Sequence, residues 1–221
     1  MERSAVVDVA AVLQPLTARS LAAAVDELAA RDADLAAIVA RHGRPPLWDR
    51  APGFATLLHI ILEQQVSLAS AQAAFDRLRA VADPLTPSRF LVLADPDLLA
   101  IGFSRQKARY GRALAVAVDS GALALGGLDD LDDAAVHDAL QTIPGIGPWT
   151  STIYLLMVLG RPDVWPAGDI ALAESVGTVK GLGRRPDTAE MADLGEAWRP
   201  WRSVAARLFW LDYLARRGRA G

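Results

Sequence analysis

The sequence predicts an all-α protein of roughly ten helices joined by short connections. Three observations carry that prediction. Apolar residues recur at helical spacing in segment after segment, as at Leu21, Val25 and Leu28 or at Leu57, Leu58, Ile61 and Leu62. Capping residues, prolines and glycines punctuate those segments at short intervals. No stretch alternates apolar and polar residues over a strand's length, and no internal repeat is visible.

Taken in order, Met1 to Leu16 reads as either a short strand or a loose lead-in. Thr17 caps the first helix, which carries Leu21, Val25 and Leu28. Leu35, Ile38 and Val39 mark a second helix that ends near His42-Gly43, where Pro45-Pro46 forbid continuation. After Pro52-Gly53 the stripe Phe54, Leu57, Leu58, Ile61 and Leu62 forms a helix ending around Glu63-Gln64-Gln65. Ser67 caps the next, with Ala71, Ala74, Phe75 and Leu78 on its apolar face.

Thr86-Pro87 and Asp95-Pro96 both read as an N-cap followed by proline at the first helical position. Ser104 caps a helix bearing Arg105, Lys107, Arg109 and Arg112. Gly121 and Gly126-Gly127 mark a loop, and Asp132 or Asp133 starts the following helix. An apolar helix runs from Trp149 to Gly160, with Pro162 just beyond. Pro166-Ala167-Gly168-Asp169 is a turn leading into a helix through Leu172 and Val176. Asp187 with Glu190 resembles a capping box, Trp201 to Arg216 forms the last helix, and the basic tail Arg216-Arg217-Gly218-Arg219 is frayed.

Composition excludes several classes. The chain has 221 residues, enough to bury a sizeable core, and 52% of them are apolar, so it is no disordered chain. It has no cysteine, which excludes disulfides, thiolate zinc sites and iron–sulfur clusters. His42, His59 and His137 lack metal-ligand spacing and read as packing or surface residues. A net charge of −3 is unlike most nucleic-acid binders, but phosphate contacts need a local patch rather than a basic whole. The longest apolar run, Ile153 to Leu159, is too short to span a bilayer, and the N-terminus carries no secretory leader. The expectation is a soluble cytoplasmic protein, nucleoid-associated if bacterial, that touches no membrane. No linker separates independent domains, so residues 1–221 read as one domain.

The most informative stretch runs from Leu140 to Thr150 and contains Ile143-Pro144-Gly145-Ile146-Gly147-Pro148 between two helices. Glycine permits tight turns and close approach of a ligand. The first amides of a helix lack internal acceptors and face its positive end, so a Gly-x-Gly turn opening a helix can cradle a phosphate oxygen. Gly-x-Gly alone is compatible with a plain turn; the proline, the paired glycines and the immediate helix together favour phosphate binding. Asp169 is the second candidate. Aspartate is a good helix cap, and a carboxylate held there can also stabilise an oxocarbenium-like transition state or orient a water.

These elements resemble the helix-hairpin-helix DNA glycosylase superfamily, and its 3-methyladenine DNA glycosylase II branch in particular. The hairpin is followed some twenty residues later by the Asp169 turn, as in that family. Ile61 to Ser67 resembles the branch's Gln-Gln-x-Ser segment, Gly102 to Arg109 its Gly-x-Ser-x-x-Lys stretch, and Trp198 to Ser203 its Trp-x-Pro-Trp-Arg-Ser motif. The resemblance implies a two-lobed helical fold with a central cleft, the hairpin at about 139–150 and the catalytic turn at about 165–170. The chain looks like a compact form, without the N-terminal β-rich domain of some relatives.

The resemblance also implies roles. Asp169 matches the catalytic aspartate. The amides of Gly145, Gly147 and Thr150 match those that hold a DNA phosphate, and Gln65 matches the residue wedged into the duplex. Trp149 and Trp210 match walls of the base pocket, with Ile153 and Tyr154 beside them. Lys107 is the one member of its basic cluster assigned to DNA. Carbonyls of Gln141, Ile143 and Gly145 match those that can hold a monovalent cation such as sodium; no other cofactor is implied. Bifunctional relatives carry a lysine nucleophile at the position of Trp149, so this chain lacks the amine for Schiff-base chemistry.

The expectation is therefore a monomeric, monofunctional glycosylase. It flips alkylated bases of the 3-methyladenine type out of double-stranded DNA, hydrolyses their N-glycosidic bond and leaves an abasic site for base excision repair. The alternatives are a bifunctional glycosylase/lyase and a non-catalytic lesion-binding protein.

Overall fold

The structure, a computed structural model, describes residues 14–218. Residues 1–13 of the lead-in, and Arg219, lie outside the described residues. The rest of the tail read as frayed is instead held: Arg216 ends the last helix with its Nε 2.8 Å from Asp212 Oδ2, and Arg217 donates to Glu174 Oε1 at 3.0 Å. Within them the protein is helical throughout, with twelve α-helices, two short 3-10 turns and no strand among the described residues. In chain order these are α1 (Ala18–Arg31), α2 (Ala33–His42), α3 (Phe54–Glu63), α4 (Leu68–Val81), α5 (Pro87–Leu91) and α6 (Asp95–Ile101). They continue with α7 (Arg105–Asp119), α8 (Asp133–Gln141), α9 (Pro148–Met157), α10 (Ile170–Val179), α11 (Thr188–Gly195) and α12 (Arg202–Arg216). Among the described residues no helix is long and apolar enough to cross a membrane.

Most helix starts follow the predicted caps. The side chains of Thr17, Ser67, Thr86, Ser104 and Asp132 accept amide hydrogen bonds from the first turns of α1, α4, α5, α7 and α8. Asp187 and Glu190 form the reciprocal capping box of α11. Asp95 departs from its expected role. The α6 N-cap is Ala94, whose amide donates to Asp97 Oδ2 at 3.2 Å, so Asp95 and Pro96 fall inside the helix. The Asp95 carboxylate instead binds Arg112, with Oδ1 at 2.6 and 3.0 Å from the guanidinium nitrogens. Two further boundaries shift. Helix α9 ends at Met157, before Gly160, where the chain turns and the Arg161 amide returns to the Leu155 carbonyl at 3.0 Å. Trp201 caps α12 rather than belonging to it.

The chain divides into two compact units. The first comprises residues up to 49 together with those from 155 onward. Its core includes Leu28, Leu35, Ile38, Leu172, Val176 and Leu208, and a cluster of Trp165, Trp198 and Phe209 with ring centroids 5.0–6.5 Å apart. Arg207 is wholly buried in this unit. Burial depresses its guanidinium to about 10, and its nitrogens donate to the carbonyls of Leu47, Leu156 and Ser203 at 2.8, 2.8 and 3.1 Å. A buried polar group keeps its place only when so satisfied.

The second unit comprises residues 50–154. Here α3 packs on α4 and α7, and α5 and α6 pack on α7, around Leu57, Leu58, Ile61, Leu78, Phe90, Leu98 and Leu114. Helix α8, the hairpin and the first turns of α9 complete it.

Candidate functional site

The hairpin lies in the second unit. Ile143 and Ile146 are buried and anchor the turn from below, and the Ile146 amide donates to the Ile143 carbonyl at 3.0 Å. Gly145 has φ +92°, a left-handed conformation that a side chain rarely adopts. The ring of Tyr110, on α7, packs directly against it: a Cβ on Gly145 would sit 2.1 Å from the ring. Gly147 differs. Its carbonyl accepts the first α9 hydrogen bond, from Ser151 at 3.1 Å, and a Cβ there would meet nothing within 4 Å among the described residues. Gly147 therefore leaves room that the described residues do not fill.

Two residues missed by sequence reasoning hold this turn: Tyr110 and Gln64. Gln64 Nε2 donates to the Gly145 carbonyl and to Thr150 Oγ1, both at 2.8 Å. Its acceptors lie 81 and 86 residues away, so no local pattern could reveal them. Next to it Gln65 is exposed and, at φ +57°, adopts a conformation uncommon for a residue with a side chain.

Other candidates are placed as follows. Trp149 is half-exposed on the first turn of α9, and Thr150 is buried beside it. Ile153 and Tyr154 are buried on the same helix, and burial pushes the Tyr154 phenol up to about 12. Lys107 is not on an open face. Its ammonium donates to the Leu62 carbonyl at the end of α3, 2.6 Å away, and burial pulls its pKa below the usual lysine value. Arg105 and Arg109 are exposed on α7, whereas Arg112 is held by Asp95 and by the Leu93 carbonyl. His59 stacks on Phe75 at 4.2 Å with the rings 4° from parallel, as a packing residue would. Of the carbonyls considered for a cation, that of Ile143 already accepts from Ile146 and that of Gly145 from Gln64. Among the described residues no cluster of histidine or carboxylate side chains could hold a metal ion.

Asp169 lies in the first unit, at the N-cap of α10. The turn before it is closed by the Asp169 amide donating to the Pro166 carbonyl at 2.9 Å. Its Oδ1 accepts from the Leu172 amide at 2.7 Å and from the indole Nε1–H of Trp210, on α12, at 3.2 Å. Two predicted site residues thus meet, one orienting the other's carboxylate. The Trp198–Ser203 motif fixes the approach to that turn. Ser203 Oγ accepts from the Val164 amide at 3.1 Å and donates to the Val164 carbonyl at 3.0 Å, and Arg202 binds the Asp163 carboxylate at 2.8 Å. Trp198 donates to Asp32 Oδ2 at 2.8 Å. Burial alone would raise the Asp32 carboxyl, but its hydrogen bonds from Trp198 and Lys180 hold it below the usual carboxylate range.

Comparison with known proteins adds a family. The model of the HhH-GPD superfamily base excision DNA repair protein matches residues 58–200. YfjP of Bacillus subtilis, assigned by name to the DNA-3-methyladenine glycosylases, is 28% identical over 184 residues, 80% of this chain and 64% of its own. DNA-3-methyladenine glycosylase 2 of Escherichia coli is 33% identical over 126 residues, 57% of this chain and 41% of its own. The chain thus spans less than two thirds of the length of these relatives. The 3-methyladenine DNA glycosylase of Schizosaccharomyces pombe, solved in complex with abasic DNA, matches with a TM-score of 0.77 at 25% identity, over 85% of this chain and 95% of that one.

Proposed function

Because the chain belongs to the HhH-GPD superfamily of base excision DNA repair proteins, we propose that it is a monofunctional DNA glycosylase that removes alkylated purines of the 3-methyladenine type from double-stranded DNA. The observation that carries the reading is Asp169, a carboxylate held at a helix N-terminus by the Leu172 amide and the Trp210 indole. The names of the relatives support the substrate class.

A purine alkylated at N3 or N7 is cationic and leaves readily. When its N-glycosidic bond breaks, both electrons go to the base, which departs neutral. Positive charge then spreads over C1′ and the ring oxygen of the sugar, and a fixed carboxylate stabilises it. Water adds to C1′ and releases a proton, leaving an abasic sugar. Asp169 is the carboxylate proposed for that role. An indole face attracts a cationic base at roughly 0.5–2 kcal/mol, a role proposed separately for Trp149 and for Trp210. Ile153 and Tyr154, buried on the same helix as Trp149, are proposed to line the base pocket with it. The amides of Gly145, Gly147 and Thr150 are proposed to grip a phosphate without reading sequence, and Gln65 to enter the duplex. With Trp149 where a lysine would stand, no Schiff base forms and the strand stays uncut.

A monovalent cation at the hairpin is proposed as a supplement. Each carbonyl oxygen has two lone pairs, so those of Ile143 and Gly145 keep one each beyond their present hydrogen bonds. With Gln141 they would hold the ion and add positive charge near a bound phosphate.

The test uses duplexes with single defined alkylated bases, followed by alkali to cleave abasic sites. The wild type releases bases, and borohydride traps no covalent adduct. Asp169→Asn lowers release at least a hundredfold while binding of an abasic-analogue duplex survives. Retained excision by Asp169→Asn, or a trapped adduct, overturns the assignment.

A further inference from the structure

We propose that Gln64 is a positioning residue that locks the exposed Gln65 turn to the glycine hairpin, so that phosphate anchor and duplex wedge keep one fixed spacing. The proposal rests on the function given above for Gln65 and the hairpin.

The geometry is specific. Gln64 caps α3, with its amide on the Ile61 carbonyl at 3.3 Å. The Gly145 carbonyl can only accept, so the side-chain atom facing it is the amide nitrogen. That nitrogen carries two hydrogens, and the second reaches Thr150 Oγ1. One side chain thus joins the end of α3 both to the turn and to the first turn of α9.

Helix α7 reinforces the same link from another side. Lys107 and Tyr110 are three residues apart and therefore share a helix face. Lys107 holds the Leu62 carbonyl, two residues before Gln64, while Tyr110 covers Gly145. Gln106 also donates to the Tyr110 hydroxyl at 2.6 Å, steadying the ring. Gln65 follows directly in a left-handed conformation, with its side chain exposed. Such a conformation persists in a non-glycine residue where its surroundings over-determine it. The fixed points are Leu62, Gln64 and, beyond the turn, Ser67, whose Oγ caps α4 through the Ser70 amide at 3.2 Å.

Chemistry limits what can replace Gln64. Glutamate has no hydrogen to donate and would set a carboxylate against the Gly145 carbonyl. Asparagine is one methylene short. Methionine matches glutamine in length and removes the carboxamide, and with it both donor hydrogens.

The experiment compares Gln64→Met with wild type in two assays. One is single-turnover base release. The other is fluorescence of 2-aminopurine next to an abasic analogue, which reports unstacking and needs no catalysis. Gln64→Met lowers the single-turnover rate about tenfold, the scale of losing hydrogen bonds that position a wedge, and weakens the fluorescence rise. In a Gln65→Ala background the same change has no further effect, because the element it positions is gone. Thr150→Val, which removes one acceptor and keeps the shape, gives a smaller loss with the same masking and serves if Gln64→Met does not fold.

Unchanged fluorescence in Gln64→Met, or full additivity with Gln65→Ala, overturns the proposal. Absence of base release from the wild type overturns the glycosylase reading alone, since the fluorescence arm still decides the role of Gln64.

Discussion

The hairpin and the Asp169 turn are held in opposite ways. The hairpin is clasped by residues distant in sequence: Gln64 hydrogen-bonds Gly145 and Thr150, and Tyr110 fills the space a side chain on Gly145 would need. Asp169 itself is capped within its own neighbourhood, through Pro166 before it and Leu172 after it, and also accepts from the distant Trp210. A long-range clasp makes a site stiff but exposes it to substitutions anywhere along the clasp. A local cap survives such changes, and a remote donor such as Trp210 then bears on its chemistry. Substitutions should therefore disturb the hairpin chiefly through stability, and the aspartate turn chiefly through reaction rate.

The largest effect expected from breaking that contrast is Gly145→Val. The change forces a β-branched residue into φ +92° and drives its Cβ into the Tyr110 ring. Strained backbone costs about 1–3 kcal/mol and overpacking about as much again. Urea unfolding should show a loss of roughly 3 kcal/mol or more, with DNA binding falling alongside it. A loss under about 1 kcal/mol would mean that the clasp is slack and that the hairpin is as locally determined as the aspartate turn.

This contrast also explains what was legible in the sequence. Caps at Thr17, Ser67, Thr86, Ser104, Asp132 and Asp187 were readable because capping involves residues within three positions. Asp95 was misplaced because Asp97 competes for the capping role and Arg112, 17 residues on, claims its carboxylate. The turn before Asp169 was readable for the same local reason. Lys107 shows the limit: Arg105 and Arg109 stand two residues to either side, which suggests a solvent-facing cluster, yet its ammonium binds the Leu62 carbonyl of α3, 45 residues earlier. Gln64 and Gln65 are chemically identical and adjacent, and only tertiary structure separates the one that holds from the one exposed.

Trp210→Phe tests the other side of the contrast. The change removes the indole donor to Asp169 and keeps an aromatic face. Hydrogen bonds to charged groups are worth about 1.5–3 kcal/mol, so single-turnover release should fall at least about tenfold. Stability should change by about 1–2 kcal/mol, less than for Gly145→Val. A rate equal to wild type would show that the Trp210 donor is dispensable to the carboxylate.

The smallest structural effect, and the sharpest, belongs to Gly147→Ala. Gly147 stands two residues from Gly145 in the same turn, yet an added methyl meets no atom of the described residues within 4 Å. Alanine is a poorer helix cap than glycine, so the cost to folding stays below about 1 kcal/mol. If Gly147 is glycine so that a phosphate can come close to the backbone, that methyl stands where the ligand would be. DNA affinity should then drop several-fold for every duplex sequence alike, because phosphate contacts carry no base information. Titration of labelled duplexes of different sequence, beside urea unfolding, reads both quantities. A parallel loss of stability and affinity would make Gly147 a second Gly145. Unchanged affinity with unchanged stability would remove the close-approach argument, and the phosphate grip would have to lie elsewhere on the hairpin.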